Sequence, residues 1–216
     1  MDTNPNAPRL INGGIVLMDP NTSQVLRVIV LQYNPDTVTR SLQIKSVGET
    51  ADRSEALRLK GPAVETIKVD AEIDATDQLE AADSTTMQVG ISPQLAALET
   101  IVYPSSTQLQ INNILEQIGT LEIIPMETPL VLFIWSKNRV VAVRITELSI
   151  TEEAFDPNLN PIRAKVSLGM RVLTMDDLGF DHKGSSIFMA YLQQKEQLAG
   201  QVPSRTLNAL GVQQIP

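Results

Sequence analysis

The chain has 216 residues, 43% hydrophobic and 19% charged, with a net charge of −8 and no cysteine. That composition excludes disulfides, thiolate nucleophiles and cysteine-rich zinc sites, and no apolar run approaches the roughly 18 residues of a membrane-spanning helix. A nucleic-acid partner would need a clustered basic footprint, but the densest basic group, Arg53, Arg58 and Lys60, is interrupted by Asp52 and Glu55 and reads as a solvated or partner-facing loop.

Residues 1–10, with two prolines and two asparagines, bury little and are expected to form a mobile arm. They lack the basic and apolar regions of a secretory signal, so synthesis in the cytoplasm is expected. Residues 14–19 read as a short apolar strand, and Pro20-Asn21-Thr22-Ser23 supplies turn chemistry. Residues 25–33 read as a β-branched strand, with Val28, Ile29, Val30 and Leu31 expected buried on both faces. Asn34-Pro35-Asp36 turns the chain. Residues 37–47 alternate, with Val38, Arg40, Leu42 and Ile44 on one side and Thr37, Thr39, Ser41, Gln43 and Lys45 on the other; Arg40 is the odd member of its face.

Periodicity fails over residues 48–61, which reads as a mixed-charge loop. It returns at 63–74, where Val64, Ile67, Val69, Ala71 and Ile73 oppose Glu65, Thr66, Lys68, Asp70 and Glu72. Residues 74–90 read as an exposed acidic loop. Ser92-Pro93 then opens a helix with Leu95, Leu98 and Val102 as its buried stripe and Pro104 as its stop. A second helical segment at about 107–119 carries Leu109, Ile111, Ile114, Leu115 and Ile118. Strands follow at 130–135, 140–151 and 161–174, with a hairpin turn at Ser136-Lys137-Asn138-Arg139 and a corner at Asp156-Pro157-Asn158-Leu159-Asn160-Pro161. Residues 185–199 have helical spacing, in Ile187, Phe188, Ala190, Tyr191, Leu192 and Gln194. The expected fold is mainly β with a helical insert: seven strands in an antiparallel β-barrel or sandwich, closed or nearly so, followed by a C-terminal helix. The expected division is an arm (1–10), a tube-like β-barrel domain (11–175) with an acidic and helical insert (75–119), and a C-terminal helix and tail (176–216).

Catalytic chemistry finds no foothold. The single histidine, His182, lies in the Gly-bounded turn Phe180-Asp181-His182-Lys183-Gly184, and no serine sits in a Gly-x-Ser-x-Gly elbow. Glu152-Glu153 and Asp176-Asp177 are adjacent pairs read as solvated; neighbours on a strand, such as Glu152 and Glu153, point to opposite faces. Gly13-Gly14 lacks the rest of a phosphate-binding motif and precedes a strand. Asp70, Glu72, Asp74, Asp77, Glu80 and Asp83 have no EF-hand spacing, and Trp135 reads as a core or rim residue. No catalytic, cofactor-binding or metal residue is assigned, and the chain is not expected to be an enzyme.

Gln32-Tyr33-Asn34-Pro35-Asp36, followed by Arg40-Ser41-Leu42, resembles the first hairpin of contractile injection system and phage tail tube proteins. Ile145-Thr146-Glu147-Leu148-Ser149-Ile150, Phe155-Asp156, Leu159-Asn160-Pro161-Ile162-Arg163-Ala164 and Val166-Ser167-Leu168 are similar to the closing strands of that family. Within it, the N-terminal arm, the 74–119 insert and the C-terminal helix resemble the baseplate tube initiator between spike and inner tube. Such proteins often carry a peptidoglycan-binding module after the barrel; none follows Thr174 here, which leaves the C-terminus as a docking helix. The resemblance implies a structural subunit that forms a six-fold homo-oligomeric ring, with inner tube subunits, the spike and other baseplate proteins as partners, and without nucleic-acid binding or membrane insertion. Residues Thr39, Ser41, Gln43, Lys68, Asp70 and Glu72 would line its channel or face water. The alternative is a soluble β-barrel module that binds a small ligand or glycan in its mouth.

Overall fold

The computed structural model describes residues 11–46, 58–117, 128–203 and 207–215. The N-terminal arm, most of the 48–61 loop, and Ile118 and Gly119 lie outside them. Seven strands form one antiparallel sheet: β1 (Gly14–Met18), β2 (Val25–Val30), β3 (Val38–Gln43), β4 (Val64–Asp74), β5 (Leu130–Ser136), β6 (Arg139–Phe155) and β7 (Pro161–Val172), in the order β2-β1-β5-β6-β7-β4-β3. The long hairpin of β6 and β7 pairs from Val143↔Val172 to Phe155↔Pro161, and β4 joins it from Thr66↔Arg171 to Asp74↔Arg163.

The fold is mainly β with the expected helical insert and C-terminal helix, but among the described residues the sheet is not closed by strand pairing. Its two borders, β2 and β3, are consecutive in the chain, so residues 31–37 join one border of the sheet to the other. One pleated face forms the core. Ile15, Ile67, Val69, Phe133, Val141, Val166 and Met170 meet there with Ile91, Leu95 and Leu98 of the insert, the alternation expected of a sheet covered on one side. A smaller cluster of Met18, Leu130, Leu132 and Ala142 lies under Leu178 and Ile187.

The insert is helical earlier than its acidic composition suggests. α1 (Thr76–Glu80) and α2 (Ser84–Val89) replace the expected acidic loop. Carboxylates act here as helix starters: Asp83 accepts the N–H and hydroxyl of Thr86 at 2.8 Å each, satisfying a donor that an uncapped helix leaves open. α3 (Ser92–Glu99) buries Leu95 and Leu98, while Val102 lies beyond its end and is exposed. α4 (Ser106–Gln117) buries no residue.

After β7, Thr174 and Asp177 make a reciprocal capping box for α5 (Met175–Leu178). α6 (Lys183–Ala199) begins at His182, whose Nδ1 accepts the Gly184 N–H at 3.0 Å. α6 lays Phe188 and Tyr191 into the core of its own sheet.

Two strand expectations are corrected. Val28 and Val30 are 57% and 58% exposed, because β2 is a border strand with no described layer over its outer side. Glu65, expected on the solvent face, is 3% exposed; the pleat puts it on the same face as Ile67 and Val69.

Candidate functional site

The two sequence motifs, more than a hundred residues apart, converge on Asp74. Gln32 Nε2 donates to the Asp74 carbonyl at 2.7 Å, and the Asp74 N–H donates to Gln32 Oε1 at 3.0 Å. Asn34 repeats this device toward β1: its Oδ1 accepts the Gly13 N–H and its Nδ2 donates to the Ile11 carbonyl, both at 2.9 Å. The corner between β2 and β3 thus carries two side-chain amides that bond main chain as another strand would.

From the other motif, Arg163 Nε reaches Asp74 Oδ2 at 2.6 Å and Glu72 Oε1 at 3.6 Å. The Thr76 hydroxyl and N–H bond Asp74 Oδ1, and with Arg163 they hold this carboxyl below the usual carboxylate range. The corner from β6 to β7 is built on Asp156. It accepts the N–H of Asn158 at 2.7 Å and of Asn160 at 2.8 Å, and the Asn160 amide at 2.8 Å. The Asn160 side chain and main-chain hydrogen bonds, with that of Asn158, depress the Asp156 carboxyl.

The insert is docked on this corner. Asn160 Nδ2 donates to the Gln88 carbonyl at 3.0 Å, and the Ile91 N–H donates to the Pro161 carbonyl at 2.8 Å. Gly90 lies between them at φ +59°, where an added Cβ would stand 2.0 Å from Pro161 O.

At the other end of the sheet a buried ionic cluster ties the β3 border to α6. Glu65 Oε1 accepts Arg40 Nε at 2.7 Å and the Tyr191 hydroxyl at 3.1 Å, and Glu65 Oε2 accepts Lys195 Nζ at 2.9 Å. Burial pushes the Glu65 carboxyl up, but the hydrogen bonds and charges of Arg40 and Lys195 outweigh it and hold it low. Lys195 also lies 4.0 Å over the Tyr191 ring. Sequence reasoning missed this cluster, although Arg40 on an apolar face was its signal.

Several of the residues weighed for chemistry make structural contacts. Asp177 bonds Arg171 at 2.6 Å, Asp176 bonds Lys45 at 2.8 Å and Glu153 bonds Lys165 at 2.7 Å. Glu152 is exposed, and Trp135 stacks on Phe133 with centroids 6.0 Å apart. Among the described residues no group of three or more acids and histidines is placed to hold a metal ion. No described helix is long and apolar enough to cross a membrane.

The borders remain the notable surface. Leu26, Val28 and Val30 of β2 are more than half exposed, and among the described strands neither β2 nor β3 has a second neighbour. Thr39, Ser41, Gln43, Lys68, Asp70 and Glu72 are all exposed, on the polar face of β3 and β4. Such a fold defines a mainly β protein whose border strands carry exposed apolar side chains. The family model described as contractile injection system tube protein matches residues 15–178, more than half of the chain, and the chain belongs to that family. No curated protein matches it.

Proposed function

We propose that this chain is the tube-initiating baseplate subunit of a contractile injection particle, forming a six-fold ring between spike and inner tube. The observation that carries the reading is the pair of sheet borders, β2 and β3, that have no second neighbour among the described strands. An exposed border is a template for pairing with another chain, and joining β2 of one copy to β3 of the next is a head-to-tail contact of the kind that generates rings. The six-fold symmetry rests on family resemblance. Placement at the baseplate is supported by the 75–119 insert and by α6, which add surface beyond the sheet itself.

The test is light scattering after size exclusion on the isolated chain, repeated with co-expressed tube and spike proteins, with electron microscopy of any assembly. Rings of six that co-purify with both neighbours are expected. A monomer that joins no particle overturns the reading.

A second reading, a ligand-binding barrel module, draws on one observation. A cavity of ≈ 400 Å³ lies between β2, β4, β7 and α3, walled by Ile29, Leu31, Ile73, Leu98 and Val166. Gln78 also lines it, and its buried Oε1 has no hydrogen-bond partner among the described residues. That reading predicts a stable monomer whose melting temperature rises with ligand.

A further inference from the structure

The later part of the insert combines low charge with exposed apolar side chains. Residues 84–115 hold one charged side chain, Glu99, in a chain that is 19% charged, yet Met87, Tyr103, Leu109, Ile111 and Ile114 are about half exposed or more. Depletion of charge with retention of large apolar and aromatic groups is the composition of an interface core. α4 sharpens the point. It is twelve residues long and buries none of them, a length at which isolated helices are marginal, and its Ile, Asn and Thr residues are weak helix formers. Its start is fixed by Ser105, whose Oγ accepts the Gln108 N–H at 3.2 Å. Ile111, Ile114 and Leu115, spaced three and four apart, form one stripe, whereas Leu109 points to the opposite side.

Position selects the partner. A groove of ≈ 820 Å³ is lined by Leu17 of β1, Leu26 and Arg27 of β2, Tyr103 and the first turn of α4. Arg27 ties β2 to α3 through the Ala97 carbonyl at 3.2 Å and Thr100 Oγ1 at 2.7 Å. Whatever pairs along β2 therefore arrives beside the insert. Border pairing alone is too small a joint: six residues of strand span about 20 Å, and with a sheet about 10 Å deep cover roughly 200 Å² per partner, against about 800 Å² in a stable interface. Two copies at net charge −8 also repel each other. The carboxylates of the insert are Asp77, Glu80 and Asp83 before α2, Glu99, and Glu116 on the Leu109 side of α4, so the Ile111 and Ile114 stripe is where two copies can approach with least of that repulsion.

We infer that the second copy that pairs along β2 also seats on the insert, covering Tyr103, Ile111 and Ile114, so that α4 is the larger part of the joint between subunits. This rests on the ring reading.

The experiment is sedimentation velocity of the full chain over a range of concentrations, comparing wild type, the double variant Ile111→Asp with Ile114→Asp, and Leu109→Asp. The double variant is expected to weaken self-association by about tenfold or more, the loss of one or two interface anchors. Its subunit melting temperature should be unchanged, because neither side chain is buried. Leu109→Asp should stay within about twofold of wild type, on the opposite helix face. If wild type assembles and the double variant assembles equally well, the inference falls while the ring stands. If the double variant instead loses only another protein of a co-expressed particle, α4 belongs to that partner and the inference falls. A wild-type chain that stays monomeric overturns ring and inference together.

Discussion

Gln32 and Asp74 pair as two peptide groups would, the side-chain amide of one donating to and accepting from the main chain of the other at 2.7 and 3.0 Å. Because residues 31–37 join the two borders of the sheet, this pair fixes where the corner sits. Gln32→Leu leaves a part-buried N–H and carbonyl without partners, at a cost of about 1–3 kcal/mol. A lower urea midpoint with an unchanged slope is expected. Gln32→Glu keeps the acceptor for the Asp74 N–H but loses the donor, and should be no better than half-restored. An unchanged midpoint in Gln32→Leu would show that the corner holds without the amide.

The Glu65 cluster divides its strength unequally. Removing Arg40 leaves a buried carboxylate with one cation fewer, and Arg40→Leu should cost about 3 kcal/mol. Lys195 is partly exposed and Arg40 remains when it is removed, so Lys195→Ala should cost about 1 kcal/mol. The pH dependence follows from the same contacts. Glu65 and Asp74 both have folded-state carboxyls held low, so the unfolded chain takes up their protons first as pH falls. Their contribution is fully present above the unfolded carboxylate range, about pH 4, and is lost below it as pH drops through the depressed folded values. Melting temperature against pH should therefore fall on the acid side. Glu65→Gln should flatten that slope; an unaltered slope would remove Glu65 as its source.

Gly90 is where the insert crosses the start of β7, at φ +59° with Pro161 O 2.0 Å from the position of an added Cβ. Gly90→Ala meets both a left-handed backbone and a collision with main chain, and should cost about 2 kcal/mol or more. Hydrogen exchange should quicken at Ile91, whose N–H bonds the Pro161 carbonyl. Normal protection at Ile91 in Gly90→Ala would mean the insert docks by other contacts.

Much of this architecture is legible in one dimension because its determinants are local. The period of two after Thr66 places Ile67, Val69 and Ala71 inward and Lys68, Asp70 and Glu72 outward as found. The corner at 156–161 falls where Asp156 and Asn160 bond their own turn, whereas Asn34 reaches past its turn to Gly13 and Ile11. The errors arise where a distant partner decides. Glu65 is a carboxylate on an inward position, tolerable only because Lys195, 130 residues away, and Arg40 reach it. Val28 and Val30 carry a core-like composition but stand at a border, and border status is a property of strand order, which no single strand encodes. That Gln32 and Arg163 share Asp74 is likewise a three-dimensional fact, although both lie in the motifs that mark the family.

The exposed valines of β2 permit the sharpest separation of folding from assembly. Val28 and Val30 are more than half exposed, so Val28→Lys with Val30→Lys should change subunit stability by no more than about 0.5 kcal/mol, as for ordinary surface sites. Lysine on a border strand is the usual guard against pairing with another chain, since a second strand must then bury or displace a solvated ammonium. The double variant should stay folded and monomeric at concentrations where wild type associates. Leu210→Lys, at a residue 78% exposed outside the sheet, should associate as wild type does. The readout is the oligomer fraction by light scattering beside a melting curve. If the two-lysine variant forms the wild-type assembly, β2 is not the joining border, and pairing between copies must run through some surface other than this strand.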